Sequence, residues 1–166
     1  AANAVDARLG GIIRRAAQRR MFEAAPGRVS ILPVPRGALL ADYVVLAGLG
    51  DFDDFGSEAQ SLVAGNIVRL LAPAGVQDFA TVLFGAGSGV PVAAALEQQL
   101  GGFVAALRGA DDDRVVRRIT FCEIDARKYA ALRRAAVATA ARLSDPSLRL
   151  VVDEGDASHP GTRGAD

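Results

Sequence analysis

The stretch Thr81-Val82-Leu83-Phe84-Gly85-Ala86-Gly87-Ser88-Gly89-Val90-Pro91 constrains the fold more than any other part of the chain. Its apolar opening is continuous and rich in β-branched residues, so it reads as a buried strand; a half-exposed strand would alternate. Pro91 then suits the start of a long helix over Val92 to Leu107, because its fixed φ is already helical and no N–H is needed there. Between them, alternating glycines permit positive φ and close approach to the backbone.

A strand, a glycine loop and a helix N-terminus in this order form a concavity where unpaired N–H groups and the helix dipole favour an anion. Gly85, Ala86, Gly87, Ser88, Gly89 and Val90 are therefore the candidate phosphate or carboxylate loop. The spacing is G-x-G-x-G, which is neither the dinucleotide fingerprint nor a Walker loop. Two readings stand side by side: an anion site, and a tight strand-to-helix turn with no ligand.

Composition narrows the chemistry. The 166 residues suit one domain with a substantial core. Nineteen basic residues balance nineteen acidic ones, which gives no electrostatic case for nucleic acid or a membrane surface. Lys128 is the sole lysine, so Schiff-base chemistry has almost nowhere to reside. Cys122, the single cysteine, excludes an internal disulfide and any multi-cysteine zinc site. Its place in the apolar run Ile119-Thr120-Phe121-Cys122 leads one to expect a buried, inert thiol. No run reaches membrane-spanning length and no cleavable signal is visible, so a cytoplasmic domain is expected.

Residues 4 to 22 read as one helix with an arginine face (Arg14, Arg15, Arg19 and Arg20) and an apolar stripe through Val5, Leu9, Ile12, Ile13 and Ala16. Gly10-Gly11 inside it calls for close packing. Val29 to Val34 is a short strand that Pro33 and Pro35 push toward an edge. Tyr43 to Ala47 is a second strand, and it empties into another glycine loop, Gly48-Leu49-Gly50-Asp51, followed by Asp53 and Asp54. This is the second candidate ligand loop. Its carboxylates lack the partners of a calcium loop and suit the start of the next helix, which Ser57 or Ser61 can cap. Val63, Ile67, Leu70 and Leu71 line that helix, and Pro73 and Gly75 end it.

The helix after Pro91 turns Val92, Leu96, Leu100, Phe103 and Leu107 inward, and Gly101-Gly102 implies a close neighbour. Asp111-Asp112-Asp113 marks a turn. Val115 to Glu123 is a strand, Asp125 caps a helix to Leu143, and Leu148 to Val152 is a last short strand. Alternating strands and helices imply a three-layer αβα sandwich around a mixed, mostly parallel sheet of about five strands. One domain over residues 1–153 and a flexible polar tail over 154–166 are expected. If the strands before the two glycine loops are neighbours, both loops open on one crevice.

Several segments resemble the N-terminal domain of the M17 leucyl aminopeptidases. Ala4-Val5-Asp6-Ala7-Arg8-Leu9-Gly10-Gly11, then Arg20-Met21-Phe22 and Gly27-Arg28-Val29, are similar to the family's "D-x-x-L-G-G" helix and the turn that follows it. Val44-Val45-Leu46-Ala47-Gly48-Leu49-Gly50 resembles its "vlvvGLG" strand and loop. That domain is similar to the macro domain, whose phosphate loop Gly85 to Pro91 resembles and whose closing unit is echoed by Ile119 to Asp125 with Tyr129 and Leu132.

The resemblance implies a role in assembly or regulation through self-association or a peptidase or effector domain. The family's peptidase chemistry uses a separate two-metal domain, and no counterpart of its "N-T-D-A-E-G-R-L" signature occurs here. No catalytic residue, metal ligand or cofactor is therefore assigned. The macro likeness implies, as the alternative, a binder of ADP-ribose or another phosphorylated ligand at Gly85–Gly89. No asparagine-rich substrate loop accompanies it: Asn3 and Asn66 are the only asparagines.

Overall fold

The computed structural model describes residues 2–51, 55–85, 89–142 and 151. Its elements are α1 (Ala2–Arg8), α2 (Ile12–Gln18), β1 (Val29–Pro33), β2 (Tyr43–Ala47), α3 (Ser57–Leu71), β3 (Asp78–Thr81), α4 (Val92–Ala110), β4 (Arg118–Phe121) and α5 (Ala126–Ala140).

The first helix is broken where the sequence suggests continuity. Gly10 and Gly11 adopt φ of 63° and 80°, conformations that admit glycine at little cost and end a right-handed helix. A Cβ at Gly10 would meet nothing within 4 Å, so backbone conformation and not close packing explains that residue. The new helix start is capped from a distance. The buried carboxylate of Asp6 accepts the N–H groups of Ile13 at 2.8 Å and Arg14 at 3.2 Å, which α2 cannot satisfy itself.

The described strands number four and form two pairs, where about five in one sheet are expected. β1 and β2 are antiparallel, with Val29 opposite Ala47 and Pro33 opposite Tyr43. Residues 34–42 connect them, too short a link for a parallel crossover, which takes about a dozen residues or more. β3 and β4 are parallel, from Asp78 opposite Arg118 to Thr81 opposite Phe121, with α4 as the connection. The fold is α/β, with one pairing of each sense.

Both pairs contribute to one core. Val63, Ala64, Ile67, Val68 and Leu71 of α3 pack with Phe103 and Ala106 of α4, and Val29, Ile31, Val45, Phe79, Ile119 and Phe121 close over them. Phe103 stacks edge-on between Phe79 and Phe121 at centroid separations of 5.7 and 6.1 Å. The α3–α4 crossing is tight: a Cβ on Gly102 would lie 2.3 Å from the Ser61 carbonyl oxygen. Gly101, by contrast, would meet nothing within 4 Å. A second cluster joins Leu96 of α4 to Leu132 and Ala135 of α5, whose N-cap Asp125 accepts from the N–H groups of Arg127 and Lys128.

Several local expectations change. α3 begins at Ser57 behind Gly56 without a side-chain cap, and the Ser61 hydroxyl donates instead to the Gln98 carbonyl at 3.0 Å. β4 starts at Arg118 and not Val115, because the Asp111 carboxylate takes the N–H groups of Val115 and Val116. Cys122 is exposed, since Ile119 and Phe121 face inward and strand alternation turns Thr120 and Cys122 away. The strand expected over 148–152 lies outside the described residues except for Val151, which is exposed and in no strand. The expected tail lies outside them too. No described helix is long and apolar enough to cross a membrane.

Candidate functional site

The organising stretch is placed differently from its apolar pattern. β3 ends at Thr81, with alternating burial, and Val82-Leu83-Phe84 continues beyond the ladder. Two buried glutamines, Gln60 from α3 and Gln99 from α4, take over as its partners. Gln99 Nε2 donates to the Val82 carbonyl at 3.1 Å, and its Oε1 accepts the Phe84 N–H at 3.0 Å. In a parallel ladder one residue of the neighbouring strand supplies this donor–acceptor pair. Gln60 Nε2 donates to the Phe84 carbonyl at 2.9 Å and to the Ala95 carbonyl at 2.7 Å, tying the stretch to the first turn of α4.

Beyond this clamp, Gly85 and Gly89 have φ of 77° and 84°, while Ala86, Gly87 and Ser88 lie outside the described residues. Val90 is half-buried. Pro91 stands at the N-cap of the nineteen-residue α4 and makes no side-chain cap hydrogen bond there. A Cβ at Gly85 would lie 3.2 Å from the Phe55 ring. The first loop therefore touches the chain that follows the second.

The second loop is built by close backbone approach. A Cβ at Gly48 would lie 2.3 Å from the Ala25 carbonyl oxygen, and one at Gly50 would lie 2.5 Å from Pro26. The Gly48 N–H donates to the Arg28 carbonyl at 2.7 Å and the Gly50 N–H to the Ala24 carbonyl at 2.8 Å. A ligand using either N–H would have to displace those bonds. Leu49 packs on the main core and Asp51 is exposed. Asp53 and Asp54 lie outside the described residues.

Among the described residues, no three His, Cys, Asp or Glu side chains gather closely enough to hold a metal ion. A half-open cavity of about 350 Å³ lies at the other end of α4, lined in part by Leu107, Arg108, Asp111 and Arg114. Sequence reasoning missed Gln60 and Gln99. The available signal was position, since Gln99 falls on the inward face of α4 between Leu96 and Phe103.

The fold is that of an α/β domain, with β2 leading into Gly48–Asp51 and β3 leading into a stretch bonded by Gln60 and Gln99 from two crossing helices. The particular family is shown by sequence: the model of the cytosol aminopeptidase family, N-terminal domain, matches residues 1–107, and the chain belongs to that family. The match takes in both glycine loops and nearly all of α4, and β4 and α5 follow it. A comparison with curated proteins found no match.

Proposed function

We propose that this chain is a non-catalytic domain of the leucyl aminopeptidase type, a macro-like three-layer scaffold serving assembly or regulation. The observation that carries the reading is the use made of its buried carboxyl and carboxamide groups. Asp6, Gln60, Gln99 and Asp111 all hydrogen-bond main-chain atoms of their own chain. A general acid or base must exchange a proton with substrate, and a side chain engaged in fixing the backbone is poorly placed to do so. The family's marker residues Asp6, Gly10, Gly11, Gly48 and Gly50 likewise have conformational or packing duties. The test is hydrolysis of leucine-terminated peptides by this chain with added zinc or manganese. No release of leucine is expected, and sustained metal-dependent turnover would overturn the reading.

A second reading is a phosphate binder of the macro type at Gly85–Val90. What favours it is that the glutamine clamp holds Val82 and Phe84 just before the glycine stretch, which leads into the N-terminus of the nineteen-residue α4, where main-chain N–H groups and the helix dipole attract an anion. Calorimetry with ADP-ribose tests it. Measurable heat with a raised melting temperature would support this reading, and the absence of both would remove it.

A further inference from the structure

We propose that the cavity at the carboxyl end of α4 binds a small zwitterion with an aliphatic side chain, of which an apolar α-amino acid is the simplest. The site lies at the far end of α4 from the glycine stretch and goes beyond both readings given above. The family match ends at Leu107, so most of the cavity wall comes from the chain that follows it. A volume of about 350 Å³ falls within the roughly 300–1,000 Å³ of small-molecule sites.

Three kinds of surface meet in this cavity. Val104 and Leu107 of α4, with Val116 just before β4, supply half-buried aliphatic side chains. Arg114 supplies an exposed cation and Asp112 an exposed anion. These two line one cavity yet form no ion pair, and no other side chain engages either of them among the described residues. The other charged groups of the wall are already committed. The Asp111 carboxylate accepts the N–H groups of Val115 at 2.7 Å and Val116 at 3.0 Å, and Arg108 has an interaction of its own.

A ligand is therefore offered one charge of each sign beside an apolar wall. Its carboxylate meets the Arg114 guanidinium, its ammonium meets Asp112, and its side chain lies over Val104, Leu107 and Val116, where removal of apolar area from water favours binding. A simple anion would satisfy Arg114 but set its charge against the aspartates, and a simple cation would do the reverse. The turn that carries Arg114 is also held in place. Arg114 has φ of 52°, uncommon for a residue with a side chain. Its N–H donates to the Asp111 carbonyl at 3.0 Å, and the Asp111 carboxylate fixes the next two N–H groups. A backbone ordered in advance lowers the cost of binding.

Calorimetry of this chain with L-valine tests the site, with isobutylamine and isovalerate as probes that each lack one of the two charges. Saturable heat and a raised melting temperature are expected for valine, and binding weaker by about tenfold or more for each probe. Arg114→Gly suits the left-handed backbone and should melt close to the parent chain, yet lose valine affinity by a similar factor. Asp112→Asn should do the same without any change of backbone. An absence of saturable heat with valine would overturn the proposal. So would probes that bind as tightly as valine, or folded variants that bind it undiminished.

Discussion

The N–H of Phe84 donates to Gln99 Oε1 at 3.0 Å, across 15 residues of chain and from a fully buried side chain. With the companion bond to Val82, this contact continues the β3 ladder by other means. Gln99→Leu keeps the volume and removes both bonds, leaving the Phe84 N–H and the Val82 carbonyl without their partners. Val82 is exposed and Phe84 half-buried, so water can take up part of what is lost, and a total cost of about 1–3 kcal/mol is expected in urea denaturation. Gln99→Glu keeps the acceptor but sets a carboxylate against the Val82 carbonyl, and should cost at least as much.

Gly101 and Gly102 are neighbours in sequence with opposite consequences. Gly101 is exposed on α4 and a Cβ there meets open space, so Gly101→Ala should stabilise the fold by about 0.5–1 kcal/mol through helix propensity. At Gly102 the added carbon would fall 2.3 Å from the Ser61 carbonyl oxygen and 2.9 Å from Ala64 Cβ. α3 and α4 would have to separate, at a cost of about 1–3 kcal/mol or more. Thermal melts of the two single variants should move in opposite directions. A parallel shift would contradict the packing of the crossing.

Asp6 is the one carboxylate in the family's opening signature, and its work is helix capping. Asp6→Ala deprives α2 of two acceptor contacts and should lower stability by about 0.5–2 kcal/mol, the range for lost N-caps. Asp6→Asn retains an acceptor oxygen and should recover most of that loss. Amide hydrogen exchange at Ile13 and Arg14 checks the assignment locally. Both protons should exchange faster in Asp6→Ala than in the parent chain.

Much of the helical framework was legible because period and punctuation agreed. Val63, Ile67 and Leu71 of α3, and Leu96 and Phe103 of α4, are buried as their spacing requires, and Gly75 with φ of 75° closes the turn after Pro73. Three departures share one physical feature: side chains that satisfy backbone groups at long range. Gln99 ends β3 early as a ladder, Asp111 delays β4, and Asp6 starts a second helix where the apolar stripe runs on unbroken. Hydropathy patterns do not register such contacts. A buried-face glutamine or an aspartate beside a Gly-Gly pair is the trace they leave.

The same alternation that misplaced Cys122 makes it a probe. The apolar run from Ile119 suggests burial, yet only Ile119 and Phe121 reach the core, and the Cys122 N–H closes the parallel pair on the Thr81 carbonyl at 2.8 Å. Its side chain is therefore exposed at the strand's carboxyl end. In the folded protein the thiol should react with a disulfide reagent such as Ellman's at a rate close to that of the urea-unfolded chain. Protection by a large factor under native conditions would mean that Cys122 packs inward. That result would also invert the register of β4, because a one-residue slip exchanges the two faces of a strand and would bring Ile119 and Phe121 out to solvent.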